Sequence, residues 1–133
     1  MKKALSVISL VLVLVLALAS CSDPLAGLWD SATYKTDATV GTGANTATVE
    51  IKLNDKSVTL TVKTDETTLG AALYAEGIIN DPSFFDTCNG MQLVWDETQC
   101  YWAFYVNDAY ATAGVAETEI KSSDKYTFVC TKG

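Results

Sequence analysis

Two neighbouring runs alternate apolar and polar residues with a period of two. Val49, Ile51 and Leu53 interleave with Thr48, Glu50 and Lys52; after Asn54-Asp55, Val58, Leu60 and Val62 interleave with Thr59, Thr61 and Lys63. Successive strand residues point to opposite faces, so this predicts a β-hairpin with one buried face. The period then changes to that of a helix carrying Leu69, Ala72, Leu73 and Ala75/Glu76, capped by Thr67 or Thr68 and closed by Gly77 in the left-handed conformation. A helix of about ten residues is marginal alone, so this one must be held by packing on the sheet.

Ile78 to Phe85 reads as a loop, with Asn80-Asp81-Pro82 as turn chemistry and Phe84 and Phe85 pointing opposite ways. Asn89-Gly90 reverses the chain within Thr87 to Leu93, a strand is expected at Gln92 to Trp95, and Asp96 to Gln99 forms a turn. Cys100 to Asn107 holds the densest aromatic run, with Tyr101, Trp102, Phe104 and Tyr105 giving four rings in five residues. Both alternations are apolar. Such a strand is either central, with Trp102, Phe104 and Val106 facing the helix, or meets a ligand on the face of Tyr101 and Tyr105. Tyr110 to Thr112, a Gly114-Val115 turn, a helical turn over Glu117 to Ile120, a polar loop at Ser122-Ser123-Asp124 and a strand from Lys125 to Cys130 complete the chain.

The region before the hairpin is different. Lys2 and Lys3 precede an apolar run from Ala4 to Ala19, and small residues follow at Leu18-Ala19-Ser20-Cys21. That run is shorter than the roughly 20 residues a spanning helix needs, so residues 1–20 read as a bacterial secretion signal. Leu-Ala-Ser-Cys resembles a lipoprotein box, which implies cleavage before Cys21, lipidation of its thiol, and residence on the outer face of the cell membrane. Residues 21–27 would be the lipidated terminus and a short tether, with the domain spanning 28–133. Leu28 to Tyr34, holding Trp29, reads as an added strand or a packed arm, because a pure tether would not place large rings in water. Gly41-Thr42-Gly43 reads as a turn, since no helix or P-loop lysine follows it.

Without residues 1–20 the chain keeps seven of its nine basic side chains against sixteen acidic ones, a net charge of −9. There is no Arg and no His. This argues against nucleic acid as partner, and it removes imidazole metal ligation and every His-dependent nucleophile or general base. A non-enzymatic protein is expected. Glu117, Glu119 and Asp124, or Asp96 and Glu97, lack the alternating oxygen spacing of a calcium loop and read as solvated surface, so no metal is expected.

Thr68-Leu69-Gly70-Ala71-Ala72-Leu73 before Gly77, Cys88-Asn89-Gly90, Tyr101-Trp102-Ala103-Phe104-Tyr105-Val106-Asn107, Gly114-Val115 and Lys125-Tyr126-Thr127-Phe128-Val129 together resemble the transcobalamin-type C-terminal domain family over roughly Leu28 to Gly133. Asp108 stands where that family commonly has Gly, but Asp also tolerates positive φ; Ser122-Ser123-Asp124-Lys125 replaces its usual Lys-Asp-Gly-Asp turn. The resemblance implies an α+β, ubiquitin-like β-grasp fold: a mixed sheet with one helix on one face, an extra β-hairpin, and the last strand inserted between the first and third.

It also implies a ligand. In the vertebrate carriers such a domain covers cobalamin from one side while a helical barrel closes the other. This chain carries no such barrel and would supply half of a corrinoid cavity. Phe84, Phe85, Tyr101, Trp102 and Tyr105 are the expected ring contacts, with Thr87, Asn89 and Asn107 as hydrogen-bonding groups. Cobalamin or another corrinoid is thus the expected non-covalent ligand, with a surface or transporter protein as partner. The alternative is a protein–protein or peptide interaction module that offers a sheet edge. Among the cysteines, Cys88–Cys100 and Cys100–Cys130 are both compatible with that strand order, with Cys88–Cys100 preferred; either disulfide would stabilise by about 3 kcal/mol.

Overall fold

The computed structural model of the chain describes residues 23–133, so the signal segment and the lipidation candidate Cys21 lie outside the described residues. Within them run β1 (Ala38–Gly41), β2 (Asn45–Leu53), β3 (Lys56–Thr64), α1 (Leu69–Ala75), β4 (Thr87–Cys88), β5 (Met91–Gln92), α2 (Trp95–Thr98), β6 (Cys100–Val106), β7 (Ala109–Tyr110) and β8 (Lys125–Lys132). The fold is α+β. Six strands form a mixed sheet in the order β1-β3-β2-β8-β6-β7, and β4 and β5 form a separate hairpin.

The hairpin of β2 and β3 follows directly from the alternation. Ala47, Val49, Ile51 and Leu53 face inward beside Val58, Leu60 and Val62, all of them buried, and Asn54 turns the chain at φ 55°. Thr68 caps α1, its hydroxyl accepting the Ala71 N–H, and Gly77 ends the helix at φ 72°. Leu69, Ala72 and Leu73 are buried against the sheet. From α1 the chain reaches β4–β5, turned by Asn89 and Gly90 at positive φ, and then the edge region of β6.

The last strand lies in the middle. β8 runs parallel to β2 through Thr48↔Lys125 to Lys52↔Val129, and antiparallel to β6 through Cys100↔Lys132 to Val106↔Tyr126. Tyr126 and Phe128 are wholly buried, and Phe104 stacks on Phe128 at 5.2 Å. The Tyr126 hydroxyl accepts the Lys121 N–H at 2.9 Å and donates to the Glu119 carbonyl, tying the preceding loop to the core. Burial raises its pKa above the ordinary phenol value.

Four expectations shift. Leu28 to Tyr34 does pack on the core, but as a 3-10 turn over Leu28–Ser31 and not as a strand: Gly27 at φ 81° enters it and the Ser31 hydroxyl donates to the Leu28 carbonyl. Packing already begins at Leu25, inside the expected tether. The strand expected at Gln92 to Trp95 ends at Gln92, because Trp95 opens α2, where the Glu97 and Thr98 N–H groups bond the Val94 carbonyl. The helical turn expected at Glu117 to Ile120 lies two residues earlier, at Val115–Glu117.

β1 had no clear signal, since only Val40 of its four residues is buried. It pairs in parallel with β3, on the far side from β2. The chain must therefore cross the end of β3 between Gly41 and Asn45, and glycine permits that crossing. A Cβ on Gly43, at φ 149°, would stand 2.1 Å from the Thr64 carbonyl carbon. Gly43→Ala is expected to cost about 1–3 kcal/mol, seen as a lower urea midpoint at constant m-value. An unchanged midpoint would show that the crossing has room for a side chain.

Candidate functional site

The Asn107 N–H donates to the Lys125 carbonyl at 2.8 Å, so odd-numbered residues of β6 exchange hydrogen bonds with β8 and even-numbered residues turn their backbone groups to the other edge. On that edge β7 pairs only with Tyr105 and Val106, and the Ala111 N–H reaches the Phe104 carbonyl at 3.0 Å. Toward Cys100 no described strand lies beside it. The chain departs from β6 at Ala111, and the loop around Phe84 approaches from the other direction.

Between them lie two adjoining clefts. One of about 350 Å³ is lined by Ser83, Phe84, Phe85, Asp86, Leu93, Trp95, Cys100, Tyr101 and Trp102. The second, about 240 Å³, shares Ser83, Phe85, Tyr101 and Trp102 and continues along Phe104, Tyr110, Ala111 and Gly114. Large apolar side chains normally avoid water, yet here Phe84 is 85% exposed, Tyr110 59%, Trp95 49% and Tyr101 39%, all on these clefts. Tyr74 is the other exposed ring among the described residues, and it stands on α1.

The rings are held from behind. Trp102 is 6% exposed, and its indole N–H donates to the Met91 carbonyl at 3.3 Å, so its edge is the cleft floor and its body is core. Phe85 stands edge-on to Phe128 at 5.6 Å, while its neighbour Phe84, in a bend held by Asp81, is turned to solvent. Tyr101 shares the alternation of Tyr105 but reaches the edge of the sheet and lines both clefts. The Tyr110 hydroxyl beside it foremost, then burial and the nearby Tyr105 phenol, hold its pKa above the ordinary value.

Asp86 supplies the anion. It accepts from Asn80 Nδ2 and Thr87 Oγ1 at 2.9 Å and from Gln92 Nε2 at 3.2 Å. The Gln92 bond foremost lowers its pKa, outweighing desolvation, and keeps a carboxylate at the rim.

The remaining expected ligand contacts lie elsewhere. Asn89 is buried and both ends of its amide are engaged, its Nδ2 donating to the Tyr34 carbonyl at 2.9 Å and its Oδ1 accepting the Tyr34 N–H at 3.0 Å. Asn107 donates to Asp124 Oδ1 and accepts the Lys125 N–H, locking the turn in which it and Asp108 both have positive φ. Thr87 donates to Asp86 and bonds Asn80 through its N–H. Tyr105 stands edge-on to Tyr110 at 5.4 Å and borders a separate hollow with Lys52, Asp108, Thr127 and Val129. Sequence reasoning missed Trp95, Leu93, Asp86 and Tyr110. A hairpin turn at Asn107-Asp108 would have set Tyr110 opposite Tyr105; Trp95 carried no comparable signal.

Cys88, Cys100 and Cys130 are free thiols, so the expected Cys88–Cys100 disulfide is not formed in this structure. Cys88 belongs to the small hairpin and is wholly buried, which pushes its thiol pKa up, whereas Cys100 opens β6 of the main sheet. Burial, with the adjacent Cys100, takes Cys130 up to about 12. Among the described residues no three His, Cys, Asp or Glu side chains cluster as a metal site would need.

No known family profile matches the chain, and no curated protein matches it. A crystal structure of a protein from Ruminococcus gnavus ATCC 29149, provisionally named a metal binding protein, is similar to it with TM-score 0.61 and 19% identity, covering 68% of this chain and 99% of that one. At such identity the likeness speaks for the α+β fold.

Two outcomes follow. Asn89→Ala is expected to lower stability by about 2 kcal/mol in chemical denaturation, because the Tyr34 N–H and carbonyl lose their partner. Asp86 has a lowered folded-state pKa, so its stabilisation is complete above the ordinary carboxylate range and fades as pH falls through the folded value. Asp86→Asn is therefore expected to flatten the acid limb of a plot of melting temperature against pH; a limb as steep as the wild type's would show that the Asn80, Thr87 and Gln92 bonds contribute nothing.

Proposed function

We propose that this is a membrane-anchored, non-enzymatic binding module of β-grasp type, whose aromatic clefts take one face of a flat, largely apolar ring system. The observation that carries the reading is the convergence of exposed Phe84, Trp95, Tyr101 and Tyr110 on adjoining clefts whose floor is the edge of Trp102. Rings held by a rigid core offer large contact area at little cost in conformational entropy. The hairpin–helix order and the central, parallel last strand support the β-grasp type.

The resemblance to transcobalamin-type domains makes a corrinoid the first ligand to test. The clefts lie at or below the small end of ordinary ligand pockets, so the domain covers one side of such a ring and a partner protein covers the other. The anchor is Cys21, in the Leu-Ala-Ser-Cys sequence, on the outer face of a bacterial cell membrane.

A second reading has its own support. The backbone groups of Trp102 face an edge on which β7 pairs only with Tyr105 and Val106, and an extended peptide could add a strand there.

Titration of the full chain in detergent micelles with cobalamin separates the two. Binding heat and a change in corrin absorbance are expected, with Trp95→Ala and Phe84→Ala each weakening affinity about tenfold, near 1.4 kcal/mol, at unchanged melting temperature. Because the chain has no His, bound cobalamin is expected to keep the spectrum of its own lower axial base. No heat and no spectral change at high micromolar cobalamin would overturn unaided corrinoid binding.

A further inference from the structure

The cysteines support an inference independent of the ligand reading. Across the β6–β8 ladder Cys100 pairs with Lys132 and Trp102 with Cys130, so Cys100 and Cys130 are diagonal neighbours on one face. Both pairs are of the non-hydrogen-bonded kind, because the odd-numbered residues of β6 bond β8; at such pairs side chains stand closest. The right-handed twist favours the diagonal that joins a residue to the partner of the residue two places further along its own strand. That diagonal joins Cys100 to Cys130. Cys100 lies close enough to Cys130 to help raise its thiol pKa. Cys88 has no such neighbour: β4 pairs with β5, opposite Met91, and bridges to Ile79.

We propose that Cys100 and Cys130 close an intramolecular disulfide when the protein meets an oxidant of the disulfide class, while Cys88 stays reduced. Cys130, the less buried of the pair, attacks one sulfur of the external disulfide as its thiolate and expels the first external thiolate. The Cys100 thiolate then attacks the Cys130 sulfur and expels the second. Two protons leave the protein, the external disulfide is reduced to two thiols, and the cysteine pair is oxidised. Cys100 opens β6 and Cys130 lies near the end of β8, so the adjustment is confined to strand ends. Cys100 also lines the larger cleft beside Tyr101 and Trp102, so the bond clamps to β8 the end of β6 whose outer edge has no strand beside it.

The test uses the full chain with Cys21→Ser in detergent micelles, incubated with oxidised glutathione and measured by intact mass. Closure is expected to lower the mass by about 2 Da and to leave one free thiol, with the melting temperature raised by about 10 °C over the reduced protein. Cys88→Ala should still close; Cys100→Ala and Cys130→Ala should not. A glutathione adduct that persists on Cys130, or a bond that forms in Cys130→Ala, would overturn the pairing. So would a Cys88→Ala protein with native near-UV circular dichroism that fails to close.

Discussion

The structure depends on β8 filling the centre of the sheet. β1, β3 and β2 form one half and β6 and β7 the other, and β8 alone joins them through hydrogen bonds. Its pairing with β2 closes a long loop, an entropic cost that only burial of side chains can offset. Tyr126 and Phe128, wholly buried, supply that burial, and the stack of Phe104 on Phe128 carries it to β6.

The cleft is a consequence of the same arrangement. With one side of β6 committed to β8, its other side is an edge, and β7 covers only the end near the Asn107-Asp108 turn. Trp102 must point into the core because it shares a face with Phe104, and its indole is fixed by the Met91 carbonyl. The loop bearing Phe84 and Phe85 is pinned by Asp81, which accepts the Ser83 and Phe84 N–H groups, and by the bonds around Asp86. An aromatic concavity is thus built on a sheet edge.

Polar residues that looked like ligand contacts turned out to be joints. Asn89 and Asn107 each occupy the left-handed region and spend their amides on a distant backbone, Asn89 on Tyr34 and Asn107 on Lys125. A buried amide without partners is costly, so Asn89 is recruited by the chain that passes nearest, whereas Asn107 is exposed and fixes a surface turn. Which chain passes is a long-range matter that no local pattern encodes.

Where a segment's own period or turn chemistry decided its structure, the sequence was sufficient. The β2–β3 hairpin, a threonine cap and the Gly77 stop of α1, and the Asn89-Gly90 reversal are local consequences of alternation, capping and positive φ, although the structure chose Thr68 over Thr67 as the cap. Composition alone removed imidazole chemistry from consideration. Tertiary structure decided the rest. It placed β1 beside β3, turned Trp95 from strand to helix, and gathered residues from 83–86, 93–95 and 100–102 around one cleft. These depend on which surfaces meet once β8 has joined the two halves, and such meetings are set by burial summed over distant segments, not by the pattern within any one of them.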